Sequence, residues 1–268
     1  RNPAETEAMG QNRCDFSDLI EKRRTCFVED DFNVYVDANL WTKTLTGAAT
    51  APTVTNPDAQ SGVISLGNGS TNANSSAIVA TTRKMWTFAA SRPMYAAAEI
   101  QYAEANTNQA GIFFGFGSAI GATFLADTTG APVVTGSAVG IYKLPGELVW
   151  RAMLNVNGVQ VLSGLTLEST QPSPTATFQK LAIQVDVVGS GLEATFYTGQ
   201  RDGPGSDATV PVGLQQFREA SSGFGKAVKL RMAFASAAAM QFAVILKQFS
   251  ATSETLVVDL MSASSLRT

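Results

Sequence analysis

From residue 29 onward the chain runs in short apolar or alternating stretches separated by Gly, Asn, Ser, Thr and Pro, and helical periodicity is nearly absent. This constrains the fold more than any other feature, because a strand presents its side chains with a period of two and a helix with a period of 3.6. The plainest instance is Leu181-Ala-Ile-Gln-Val-Asp-Val187 followed by Leu192-Glu-Ala-Thr-Phe-Tyr197. Leu, Ile, Val and Phe take one face there, while Gln184, Asp186 and Glu193 take the other. Gly189-Ser190-Gly191 supplies the backbone freedom of a tight hairpin. Asn157-Gly158 marks a second hairpin, joining Leu148–Asn155 to Val159–Leu162, since this dipeptide favours the turn whose twist matches paired strands.

Further strands are expected at 31–36, 62–67, 76–81, 84–89, 94–103, 109–117, 137–143, 227–235 and 241–250. Ala233–Met240 has high helix propensity but lies between β-like flanks, and is read as two strands with a turn between. Many strands without helical crossovers predict an all-β fold, an antiparallel double-sheet sandwich rather than a parallel α/β sheet. Thr46–Gln60, Leu167–Thr177 and Gly199–Gly213 read as loops within one domain. The expected organisation is an N-terminal arm at 1–28, the sandwich at 29–255 and a C-terminal tail at 256–268. At 268 residues such a domain removes roughly 75% of its unfolded surface from water, enough for a large core without disulfide or metal staples.

The arm differs from the rest. Asp15 or Ser17 can cap a brief helix with Phe16, Leu19 and Ile20 on one side, followed by Glu21, Lys22, Arg23 and Arg24. It reads either as a surface helix of the same domain or as an arm docking on a neighbouring subunit.

Composition narrows the chemistry. The chain has no histidine, which removes Ser-His-Asp and Cys-His catalysis and imidazole-based zinc sites. A net charge of −3 and the lack of a basic stripe argue against nucleic acid as a partner. Cys14 and Cys26 are too few for a four-cysteine metal site, and suit a small loop disulfide or two buried thiols equally. The opening RNPAETEAMGQNR lacks the apolar core of a secretion signal. The longest apolar run, Met232–Leu246, is shorter than the roughly 20 residues a membrane helix needs, so no membrane is expected as partner.

Candidate sites were tested on the same terms. A glycosidase needs two carboxyl groups flanking the scissile bond. Glu29-Asp30-Asp31 alternate between faces on a strand, Glu99 and Glu104 differ in parity, and no Glu-x-Asp-x-Glu strand occurs. No catalytic residue is therefore assigned. Gly115-Phe-Gly117-Ser-Ala-Ile-Gly121 misses the dinucleotide spacing by one residue and reads as a glycine-rich strand end, so no cofactor is expected. Asp202-Gly-Pro-Gly-Ser-Asp207 reads as a polar turn rather than a calcium loop, and no metal is expected. Asn68-Gly-Ser70 and Asn74-Ser-Ser76 match the glycosylation pattern, which matters only in a secreted eukaryotic protein. Trp41, Trp86 and Trp150 are either core anchors or a sugar-stacking platform.

Phe27-Val-Glu-Asp-Asp-Phe32 followed by Trp41, then Ala110-Gly-Ile-Phe-Phe-Gly-Phe-Gly117, then Leu181–Gly199 closing on Phe-Tyr-Thr-Gly, resemble tailed-bacteriophage virion proteins with a concanavalin-like jelly roll. The resemblance covers roughly residues 27 to 250. It implies a lectin-like jelly-roll sandwich with a short N-terminal helical arm, acting as a capsid decoration or cement protein without enzymatic activity. Its partners would be the major capsid protein and copies of itself, as a dimer or trimer, and it would reside on the capsid surface of the virion. Phe16, Leu19, Ile20, Arg23 and Arg24 would then carry the partner contact. The rival expectation is a carbohydrate-binding module of a phage tail or fibre, with a glycan as partner.

Overall fold

The computed structural model describes residues 25–30, 32, 39–47, 49–55, 62–68, 74–90, 92–102, 110–133, 135–147, 149–162, 178–200, 215–216, 228–235, 238–250 and 254–266. Among them are sixteen strands and no helix. In chain order these are β1 (Thr25–Asp30), β2 (Trp41–Thr46), β3 (Ala49–Thr55), β4 (Val63–Asn68), β5 (Ser76–Thr81), β6 (Met94–Tyr102), β7 (Ala110–Gly117) and β8 (Ala138–Lys143). They continue as β9 (Arg151–Val156), β10 (Val159–Leu162), β11 (Gln179–Val188), β12 (Gly191–Gln200), β13 (Gln215–Gln216), β14 (Lys229–Ala233), β15 (Gln241–Gln248) and β16 (Thr255–Leu266).

All pairings are antiparallel, and the strands form two sheets. The first, sheet A, runs β13-β12-β11-β6-β16-β4-β3, with β1 added to β16 and β14 to β12. Sheet B runs β10-β9-β8-β7-β15-β5-β2. The sandwich expected from the period-two pattern is therefore present. Both marked hairpins form: Asn157 and Gly158 take positive φ (51° and 87°) between β9 and β10, and Gly189 (φ 63°) opens the turn between β11 and β12.

The facing sides of the sheets meet over an aromatic cluster. Phe242 on β15 touches Trp41, Trp86, Phe114 and Phe116 with ring centroids 5.4–6.2 Å apart, close enough for tilted and edge-on ring contact. From sheet A, Leu181, Ile183, Phe196, Leu256 and Met261 complete the same core. Sheet B is apolar on its outer side as well: Ile78, Phe113, Met153 and Ile245 form a second buried cluster there. Gly140 makes this possible on β8, since a Cβ at that position would collide with the Phe113 ring that lies across it.

Several expectations are corrected. The tail at 256–268 contains β16, a twelve-residue strand inserted between β6 and β4. A bulge between Val258 and Leu260 shifts its register, so the buried side chains move from Leu256 and Val258 to Met261 and Ala263. That change of parity erases the alternation over the full strand. The 46–60 loop contains β3, whose register also shifts, between Thr50 and Thr53 around Pro52, as suits an edge strand. The end of the arm, from Thr25, is β1 and pairs with β16. No strand forms at 84–89. Instead Trp86 makes an isolated bridge to Met240, and Met85 N donates to Met240 O as well, a local bend that lowers Trp86 into the core. β14 and β15 do flank 234–240 as two strands, but they belong to different sheets. The helix expected within 15–24, and all but Phe32 of the strand expected at 31–36, lie outside the described residues.

The position of β16 has a direct consequence. A chain ending after Glu254 should fail to give a cooperative unfolding transition, because β6 loses one of its two partners, β4 and β1 lose their link to the rest of the sheet, and the core loses Leu256, Val258 and Met261. A tail would be removable with the melting curve unchanged, so thermal unfolding followed by circular dichroism separates the two.

Candidate functional site

Phe16, Leu19, Ile20, Arg23 and Arg24 lie outside the described residues. Trp41, Trp86 and Trp150 are at most 1% exposed, which makes them core anchors and removes them as a sugar platform. Trp41 Nε1 donates to Asp30 Oδ2 (2.6 Å), and Trp150 Nε1 to Gln179 Oε1 (2.8 Å). Asp30 also accepts from Phe32 N at 2.8 Å, so this carboxylate ties β1 to the core. Glu147 pairs with Arg151, and Glu193 pairs with Lys229 and Arg231. Buried Glu254 accepts from Tyr102 Oη at 3.1 Å, and the Nζ of buried Lys143 sits 5.4 Å from the Tyr102 ring centre. Among the described residues no group of three or more Asp, Glu, Cys or His side chains gathers as metal ligands would. The Asp202–Asp207 turn lies outside those residues.

The two outer faces of the sandwich differ in kind. That of sheet B is closed by the chain itself. The connection between β7 and β8 folds back so that Phe124 and Leu125 join the outer cluster, with the Phe124 ring tilted against Phe113 at 4.5 Å between centroids. Within this connection Val133 N donates to Phe124 O, and Ala126 N to Ala131 O. Lys247 holds it to the sheet. Its side chain is 1% exposed, and Nζ donates to Ala122 O (3.1 Å), Leu125 O (2.7 Å) and the Asp127 carboxylate. A buried ammonium is tolerable only when its protons are taken up in this way.

Sheet A leaves an open depression on its outer face. Cross-strand register puts Ser262 of β16, Ala97 of β6 and Ala182 of β11 in one row, and Tyr197 of β12 stands opposite Ala182 at the row's end. The next row sets Ser264, Tyr95 and Gln184 side by side. Three small side chains in line lower the floor, and the two tyrosines wall it, leaving a concavity of about 300 Å³. Two of its polar side chains are engaged with one another: Tyr197 Oη donates to Gln184 Oε1 (3.1 Å), and Gln184 Nε2 donates to Asp186 Oδ2 (2.7 Å). Tyr95 is 43% exposed. Partial burial, then the negative charge of Asp186, then Tyr197 raise its phenol above the ordinary tyrosine range.

Sequence reasoning did not find this site. The alternation Met94-Tyr95-Ala96-Ala97-Ala98-Glu99 places Tyr95 and Ala97 on the outer face, but Ser262 and Ser264 come from the stretch taken for a tail.

No protein-family profile matches the chain, and no curated protein matches it. Among solved structures the chain is similar to the endo-1,3-beta-glucanase of Streptomyces sioyaensis, at 13% identity over 91% of this chain and 98% of that one, with a TM-score of 0.53. It is also similar to the exoplasmic/lumenal domain of VIP36 in a Ca2+/Man3GlcNAc-bound form, at 7% identity over 92% and 90% of the two chains, with a TM-score of 0.50. These likenesses place the fold among the lectin- and glucanase-like jelly-roll sandwiches, in agreement with the concanavalin-like architecture expected from the sequence. A shared sandwich does not carry an activity with it.

Two outcomes follow from this geometry. Lys247→Met should destabilise the protein by about 1–3 kcal/mol, because two loop carbonyls lose a buried donor while the largely exposed Asp127 contributes little. Limited proteolysis should then cut between Ser118 and Val133 while the sheets persist, and a loop as resistant as in the parent protein would refute the role assigned to Lys247. In the second, Tyr95 should titrate above the ordinary tyrosine value of about 10. Since the folded pKa is the raised one, its protonated form stabilises the fold below that pH, and this contribution is lost as pH rises through the folded value. Asp186→Asn should lower the Tyr95 transition in ultraviolet difference absorbance.

Proposed function

We propose that this chain is a non-enzymatic virion structural protein that decorates and stabilises a bacteriophage capsid through protein–protein contacts. The observation that carries the reading is the trough on sheet A. Its floor is the small side chains of Ala97, Ala182 and Ser262, its walls are tyrosines, and the amide of Gln184 is engaged at both ends by Tyr197 and Asp186. Such a surface matches the tyrosine-rich, charge-poor centre of a protein interface. A sugar ring lying on this floor would find the Gln184 amide already engaged. The sequence resemblance to phage virion proteins and the low charged fraction of 15% support the same reading, since few ions have to shed water when the surface is covered. Stabilisation would come by mass action, each bound copy making disassembly of the shell less favourable.

A second reading, a carbohydrate-binding module of a phage tail or fibre, is favoured by one feature, the exposed ring of Tyr95. Aromatic faces of this kind can stack on sugars.

Quantifying the protein on purified particles tests the first reading. Copies in fixed stoichiometry with the major capsid protein are expected, with particles lacking it losing their shell at lower temperature. Absence from particles would overturn it. A glycan array reads the alternative, through specific binding that Tyr95→Ala abolishes.

A further inference from the structure

The trough is bordered at one end by β16, beside which β1 lies. Beyond Ser262 and Ser264 the register continues to Glu29 and Phe27 of β1, which pairs with β16 and no other described strand. The chain enters β1 at Thr25, opposite Leu266, so Thr25 stands within a few strand spacings, each about 4.8 Å, of the Ala97 floor. Twenty-four residues precede it, and they include an apolar group, Phe16, Leu19 and Ile20, followed by Lys22, Arg23 and Arg24. The trough offers apolar surface to the first group and, at its margin, the Asp186 carboxylate that Gln184 Nε2 holds at 2.7 Å to the second.

We propose that this trough receives the Phe16–Ile20 segment of a second copy of the chain, so that subunits are joined by exchanged arms. The inference rests on the decoration reading and names the surface on which its subunit contact would be made. A neighbour's arm is chosen over the chain's own for a geometric reason. Traced back from Thr25, the chain leaves β1 in the direction from Ser264 towards Leu266 and beyond, away from the trough. Returning would need a reversal within Leu19-Ile-Glu-Lys-Arg-Arg-Thr25, which contains no Gly, Pro, Asn, Asp or Ser to make one.

Complementation between full-length variants tests the exchange. Leu19→Asp spoils the arm and leaves the trough, and Ala97→Trp fills the trough and leaves the arm. Sedimentation velocity should show the parent protein self-associating and each variant at least tenfold weaker, with melting temperatures near the parent's. An equimolar mixture of the two variants should regain a dimer, through the one intact arm–trough pair, and nothing larger. Tyr95→Ser, at an exposed wall position, takes the place of Ala97→Trp if the tryptophan disturbs folding. A monomeric parent, variants that associate like the parent, or a mixture that stays monomeric would each overturn the proposal. Occupancy on particles is read separately: Leu19→Asp protein bound to shells as fully as the parent would remove the arm and leave decoration standing. Intact self-association with no protein on particles would remove decoration alone.

Discussion

Sheet B carries apolar side chains on both faces, and the rest of the architecture answers that constraint. An antiparallel sheet can leave one face to water, but only if alternate side chains are polar. Strands β5, β7 and β8 are buried along their whole length, so two covers are needed. Sheet A supplies one, laying Leu181, Ile183, Phe196, Leu256 and Met261 over the aromatic cluster around Phe242. The β7–β8 connection supplies the other, and Lys247 is the point at which a polar backbone segment is made compatible with an apolar surface. Its ammonium takes up loop carbonyls that would otherwise lie buried without donors. Closing this face leaves the open depression on the outer side of sheet A.

What distinguishes sheet A is a coincidence of register. Alanine and serine are scattered through the whole sequence, and where Ser262, Ala97 and Ala182 fall side by side they lower the surface together. The same register brings Tyr95 and Tyr197 to the rim. Cross-strand neighbours thus determine the shape of this surface, as cross-strand pairs determine the stability of a sheet.

This explains how much of the molecule could be read in advance. The hairpins at Asn157-Gly158 and Gly189-Ser190 are local, and each carries its own turn chemistry, so they were legible. The sandwich class followed from period two. Strand β16 was hidden because its bulge near Val258 switches which parity faces the core, leaving neither alternation intact over twelve residues. Strand β3 was hidden because Pro52 and its threonines have the composition of a loop. With β16 misread as a tail, the trough could not be seen, since two of its serines belong to that strand. The tryptophans were legible as large apolar anchors, but their two readings could be separated only by burial.

The similarity to a glucanase and to the VIP36 lumenal domain bears on the scaffold, and the side chains decide what the scaffold carries. Glu147 and Glu193 are held by Arg and Lys neighbours, Glu254 by Tyr102, and Asp30 by Trp41. Each of these carboxylates is engaged in holding neighbouring segments together. Glu193 illustrates the point: its hydrogen bond to Lys229, together with Arg231, lowers its pKa from the ordinary value despite partial burial. A general acid for glycoside cleavage requires the opposite shift. With those acids committed to holding strands together and one outer face sealed, the surface chemistry most open to a partner is the apolar, tyrosine-walled trough of sheet A.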